Sequence, residues 1–194
     1  EFRRGHSTTM TLTDGQRSAL LWLARETISA HLEGRARPSL VATGGLDRQS
    51  GAFVTLRARQ RLRGCIGHIE EDQPLVEVVA RCAVAAATTD PRFPPLRARD
   101  LALIALEISV LGPVEPVHDV EAIEVGRHGL IVQQGWRRGL LLPQVAIELA
   151  WDRPTFLVQT CLKAGLSGDA WQRDAQLFRF EADVFGESGE PAPA

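Results

Sequence analysis

The sequence predicts an α+β fold, and three observations carry that expectation. Helical and strand periodicities are interleaved along the chain. Several strands come as hairpins, which favours antiparallel pairing over a doubly wound parallel sheet. The composition, 194 residues with 44% hydrophobic and 24% charged, is that of an ordinary globular chain. At this length folding buries roughly 70% of the unfolded surface, so no staple is needed. The size fits one domain, or two lobes sharing one interface.

The elements follow in order. Thr13 and Gln16 form a capping-box pattern ahead of a helix through Ala19–His31, with Leu20, Leu23, Ala24 and Ile28 at helical spacing. Ala52–Arg57 and Arg61–Ile66 read as a hairpin. Pro74 opens a second helix carrying Leu75, Val78, Val79, Cys82, Ala83 and Ala86. It must end before Asp90-Pro91-Arg92-Phe93-Pro94-Pro95, which cannot be helical throughout. Leu101–Leu111 reads as a strand, and Gly129–Gln133 with Arg138–Leu142 as a second hairpin. Pro143 starts a helix through Ala150, Asp152-Arg153-Pro154 restarts one to Lys163, and Leu177–Val184 reads as a last strand.

Charge and punctuation exclude several classes. The formal net charge of −2 argues against a broad nucleic-acid surface. No apolar stretch approaches the length of a membrane span, and no secretory signal core is visible. Glu1–Thr9 precedes Met10 and reads as an expression remnant, and the end of the chain as a flexible tail. Cys65, Cys82 and Cys161 form no paired framework, which points to reduced thiols and the cytoplasm. A single Lys, Lys163, and no Tyr or Asn indicate a GC-rich, prokaryotic genome. The Arg excess is then partly codon bias.

Candidate chemistry is concentrated in a few segments. In Arg63-Gly64-Cys65-Ile66-Gly67-His68, two glycines flank a cysteine. Nearby Arg57, Arg59, Arg61 and Arg63 would favour a thiolate; equally, Cys65 can be a small buried hydrophobe. Asp90 and Arg92 sit in a Pro-stiffened loop that either grips an anionic substrate or simply connects two elements. Glu107 interrupts an apolar strand, so it needs a partner or a wet face. His128 is the best-placed histidine for acid–base work or metal ligation; equally, it can be a hydrogen-bonded structural group. Gln144 and Glu148 share a helix face near an N-terminus that could receive an anion. A Cys65–His128–Glu107 triad can be written on paper. No metal motif, Walker loop, GxGxxG or GxSxG is present, and no cofactor is identified.

These segments, read together, resemble the AMMECR-type domain family, and within it the bacterial branch called AmmeMemoRadiSam system protein A. The residues that carry the resemblance are LRGCIGHIE (Leu62–Glu70), DPRFPPL (Asp90–Leu96), LEISVLGPVEP (Leu106–Pro116), IEVGRHGLIV (Ile123–Val132), GLLLPQVAIELAWD (Gly139–Asp152) and FLVQTCLKAGLSGDAW (Phe156–Trp171). The resemblance implies a compact α+β fold of two unequal lobes with mixed or antiparallel sheets, helices packed on them and a cleft between. Residues 10–186 would form that single domain, with the tail at 187–194. It places Arg63, Gly64, Cys65, Gly67, Asp90, Arg92, His128, Gln144 and Glu148 as candidate cleft residues. It also implies a Memo-like protein and a radical SAM protein as partners.

Two functional readings follow. In one, Cys65 is a nucleophile or thiol carrier, His128 a proton shuttle, and Arg63 or Arg92 holds an anionic substrate. In the other, the chain is a non-catalytic module that binds a ligand or docks onto a partner. A nucleic-acid regulator is a weaker third, since no aromatic–basic binding motif is present.

Overall fold

The computed structural model describes residues 12–40 and 44–187. The expected remnant at 1–9, which includes His6, lies outside them. They divide into two compact units: a larger one within Met10–Leu111 and Asp183–Ala194, and a smaller one, Gly112–Ala182.

The larger unit runs α1 (Asp14–Leu32), β1 (Ala52–Ala58), β2 (Arg61–His68), α2 (Leu75–Thr88) and β3 (Ile104–Leu111). The capping box forms as expected: the Thr13 N–H donates to Gln16 Oε1 at 2.7 Å and the Gln16 N–H donates back to Thr13 Oγ1 at 3.3 Å. The three strands are antiparallel in the order β2-β1-β3. Alternation sends Val54, Leu56, Leu106, Ile108 and Val110 to one sheet face, where they join Leu20, Leu23 and Ile28 of α1 and Val78, Val79 and Ala86 of α2 in one buried cluster. Each fully buried aliphatic side chain contributes about 1.5–3 kcal/mol. This core therefore fixes which sheet face remains for chemistry.

The smaller unit contains β4 (Glu115–Pro116), β5 (His128–Gln134), β6 (Arg137–Leu141), α3 (Pro143–Glu148), α4 (Arg153–Lys163) and most of β7 (Gln176–Gly186). Its strands are antiparallel, with β5 between β6 and β7, and β4 beside β7. Leu130, Val132, Phe156, Leu157 and Cys161 form its core. Close packing of β6 on α4 depends on Gly139, where a Cβ would collide with the backbone of Ala164.

Three expectations needed adjustment. Leu101–Leu103 belong to a 3-10 turn, Ala98–Leu103, rather than to the strand. The helix at Pro143 stops at Glu148, because Ala150 takes φ 51° before Asp152 caps α4. Glu187, placed in a flexible tail, is anchored: its carboxylate pairs with Arg25 and its N–H donates to the Leu106 carbonyl at 3.0 Å. Residues 188–194 lie outside the described ones. Among the described residues no helix is long and apolar enough to cross a membrane.

Candidate functional site

The β1–β2 hairpin turns at Arg59 and Gln60, both at positive φ, 48° and 66°. From this turn Ala58 pairs with Arg61 and Arg57 with Leu62, but then Leu56 pairs with Gly64. Arg63 is therefore the extra residue of a β-bulge. Beyond it the register is shifted by one, so Cys65 faces Thr55 instead of the core residue Val54. A one-residue shift moves a side chain to the other face of a sheet. The bulge thus takes Cys65 out of the core and onto the face turned away from α1 and α2.

On that face Cys65, Thr55 and Glu107 form one row across β2, β1 and β3. Thr55 Oγ1 donates to Cys65 Sγ at 3.3 Å. The Glu107 carboxylate lies 3.9 Å from the Arg57 guanidinium, and both side chains are about a quarter exposed, 25% and 24%. Glu107 thus has a cationic neighbour on a half-buried polar face. The glycines flanking Cys65 have packing reasons. A Cβ on Gly64 would strike the Ala86 carbonyl of α2, and one on Gly67 would strike the Phe53 ring.

The Asp90–Arg92 loop closes the edge of this strand. β2 is the sheet's outer strand, and an edge strand leaves backbone groups unpaired. At Cys65 those groups are met by side chains. Its N–H donates to Asp90 Oδ2 at 2.9 Å, and its carbonyl accepts from Arg92 Nη2 at 3.3 Å. An outward N–H makes Cys65 and Thr55 a non-hydrogen-bonded pair, the closer kind, which brings the hydroxyl to the sulfur. Asp90 itself is 4% exposed. It also accepts from the Arg92 N–H at 3.1 Å, from Nε at 2.9 Å and from Nη2 at 2.7 Å. The Arg92 guanidinium, helped by the backbone N–H groups, holds the Asp90 carboxyl far below the usual carboxylate range.

Arg63 and Arg92 both stack on Phe93, with guanidinium carbons 5.9 and 5.5 Å from the ring centroid. Arg63 Nη2 also donates to the Pro94 carbonyl at 2.7 Å. Two cations are therefore held on one ring, and one of them, Arg92, also bonds the Cys65 carbonyl. Burial nevertheless pushes the Cys65 thiol up, and the Thr55 hydroxyl and the Arg92 charge only partly oppose it. Of the two readings of Cys65, this environment favours the protonated thiol over the thiolate. Arg59 and Arg61 are exposed near the turn, Arg63 is engaged by the Pro94 carbonyl, and Arg57 faces Glu107.

The other candidates are placed elsewhere. His68, at an odd spacing from Cys65, points to the opposite face and bonds Asp72 at 2.6 Å. His128, Gln144 and Glu148 belong to the smaller unit. His128 is 5% exposed. Its Nδ1 accepts the Glu124 N–H at 2.9 Å, so the ring proton sits on Nε2. Burial, then Arg179 and Arg127, push its pKa down. A neutral ring with Nε2–H is a donor, not a base. Gln144 is half-buried and Glu148 exposed, on a helix only six residues long. The structure thus joins Cys65 and Glu107 in one row with Arg63, Asp90 and Arg92 beside it. Thr55, which completes that arrangement, carried no motif signal of its own, and Phe93 stood out only as part of the DPRFPPL segment.

A three-stranded sheet backed by two helices, a second small sheet backed by α4, and a GCIG strand clamped by a DPRF loop define a distinctive class of α+β protein. The AMMECR1 family profile matches residues 21–185. The chain belongs to the AMMECR1 family. A protein of Methanothermobacter thermautotrophicus is 44% identical over 180 residues, spanning 88% of this chain and 93% of that one. Protein MK0488 of Methanopyrus kandleri is 45% identical over 195 residues, spanning 95% and 93%. The crystal structure of an uncharacterized protein, PH0010 of Pyrococcus horikoshii, superposes with a TM-score of 0.84 at 39% identity, covering 90% of this chain and 92% of that one. All three relatives are archaeal.

Proposed function

We propose that this AMMECR1-family protein binds a small anionic molecule on the polar face of the β1–β3 sheet, beside Cys65. The observation that supports this reading best is the bulge at Arg63. It turns Cys65 outward, and the Arg63 and Arg92 guanidinia both stack on the Phe93 ring. Guanidinium N–H groups left over from the Pro94 and Asp90 bonds are suited to a carboxylate or phosphate. A protonated thiol offers a weak donor there and, unlike a thiolate, does not repel an anion. Binding is therefore favoured over nucleophilic catalysis. For catalysis, Glu107 across Thr55 is the carboxylate of the same row that could take the thiol proton.

The test is protection of Cys65. Inorganic phosphate or a small dicarboxylate should slow iodoacetamide labelling of Cys65 saturably, and Arg63→Met should abolish that protection. Labelling of Cys65 that is indifferent to every such anion would remove the proposal.

A second reading, a non-catalytic docking module, is favoured by Trp136. It is 88% exposed next to the β5–β6 turn and stacks with Arg137 at 5.5 Å. Exposed Trp and Arg are common binding anchors. From the motif resemblance, we take the chain to be of the AmmeMemoRadiSam system protein A branch, with a Memo-like protein and a radical SAM protein as partners. A mutual shift in melting temperature on mixing, reduced by Trp136→Ser, is the expected result. Its absence would count against direct docking.

A further inference from the structure

A polar hollow lies wholly within the smaller unit, and it is independent of the reading of Cys65. It has a volume of about 300 Å³ and opens over the end of β5 and β7, with Phe180 and Pro113 among its walls. That volume is at the lower end for small-molecule sites. His128 lines it, opposite Glu181 in the β5–β7 register, and Arg179 pairs with Glu115 across β7 and β4. Successive partners of this kind share a sheet face.

The polar groups of the hollow are unevenly satisfied. Arg127 is held by Glu124 and Glu181, each at 2.8 Å. Arg179 Nη1 donates to the Ala122 carbonyl at 2.8 Å, and Nη2 has a longer contact of 3.4 Å with Glu115. His128 differs. Its Nδ1 is taken by the Glu124 N–H, whereas Nε2–H has no partner among the described residues. The side chain is 5% exposed, yet it lines the hollow, so the free donor is presented to whatever occupies that space. Because the backbone fixes the tautomer, that occupant must be an acceptor. A metal ion is excluded at Nε2 by its proton.

The geometry points to this hollow as a binding site for a small zwitterion of the amino-acid class. Its carboxylate would accept from His128 Nε2–H and Arg179, and its ammonium group would lie against Glu115 and Glu181. The carboxylate then meets one guanidinium and one neutral donor, and the ammonium group meets two carboxylates. Burial first, then Arg179 and Arg127 against the opposing Glu124 and Glu181, keep the ring neutral, so that Nε2 donates.

The test is an NMR titration of protein with 15N-labelled histidine, using glycine, acetate and methylammonium as probes. Glycine should move the His128 Nε2–H resonance saturably, and acetate should bind about tenfold more weakly, as one ionic contact is lost. Glu115→Gln changes an exposed side chain, so the fold is retained, and it should bring glycine affinity down to that of acetate. No saturable shift with glycine, or acetate binding as tightly as glycine, would overturn the assignment. Loss of anion protection at Cys65 would leave it untouched.

Discussion

Asp90 and His128 are both buried polar side chains, 4% and 5% exposed, yet they are satisfied in opposite ways. Asp90 stays charged because the Cys65 N–H, the Arg92 N–H and a bidentate guanidinium converge on its two oxygens. Its capacity is spent on holding a strand edge and a loop together. His128 stays neutral, fixed by one backbone N–H, with a donor to spare. Equal burial therefore means different things. A saturated group is a clamp, and a group with a donor left over is open to a further partner.

The comparison is broken most directly at Asp90. Asp90→Ala should cost about 3 kcal/mol in chemical denaturation, since it strands two backbone N–H groups and a guanidinium. It should also speed Cys65 labelling as the edge loosens. An effect no larger than that of an ordinary surface substitution would mean that the clamp contributes little.

His128→Asn should cost less, about 1 kcal/mol, because an amide oxygen can still accept the Glu124 N–H. His128→Phe, which leaves that N–H unpaired, should cost more than His128→Asn. Equal costs would show that the Nδ1 bond is not what fixes the ring.

Proton linkage separates the two sites further. Asp90 has a depressed pKa in the fold, so its contribution is full above the unfolded carboxylate value of about 3.9 and fades as pH falls below it. His128 is also depressed, which favours the neutral ring. Its contribution is present above about pH 6.5 and fades as pH falls through the folded value. Stability measured against pH should therefore fall in two windows. Asp90→Asn should flatten the acidic one and His128→Asn the upper one; a single shared transition would contradict the contrast.

The smallest expected effect is at Arg92, whose side chain is 48% exposed. Arg92→Lys keeps the charge but not the fork, and should cost about 1 kcal/mol or less after solvent screening. A larger loss would mean that the pair is more desolvated than its exposure indicates.

Much of this architecture was legible in the chain. Helical spacing and the Thr13 cap located α1, Pro74 and the DPRFPP segment bracketed α2, and two hairpins were visible from their alternation. The placement of Cys65 was not. A bulge-free turn at Arg59-Gln60 would pair Cys65 with Val54 and bury it among core residues. The shift between Leu56 and Arg57 pairs it with Thr55 instead. Nothing in the residue types of Arg61–Cys65 announces a bulge, because its cause is tertiary: Gly64 must pass the Ala86 carbonyl while Arg63 reaches Pro94. Asp90 and Arg92 were recognisable as an ordered pair, but that they complete the strand edge at Cys65 depends on contacts 25 and 27 residues apart. For His128 the sequence left acid–base work, metal ligation and a hydrogen-bonded structural role open, and the Glu124 N–H makes it a donor.

The most direct test is the rate of iodoacetamide labelling at each cysteine against pH, read by mass spectrometry on the folded protein. Cys65 should label before the buried Cys82 and Cys161, with an inflection above the ordinary thiol value of about 8.5. Fast labelling of Cys65 well below that pH would restore the thiolate and contradict this account of the site. Cys65 as inert as the other two until unfolding would place it back in the core and contradict the bulge.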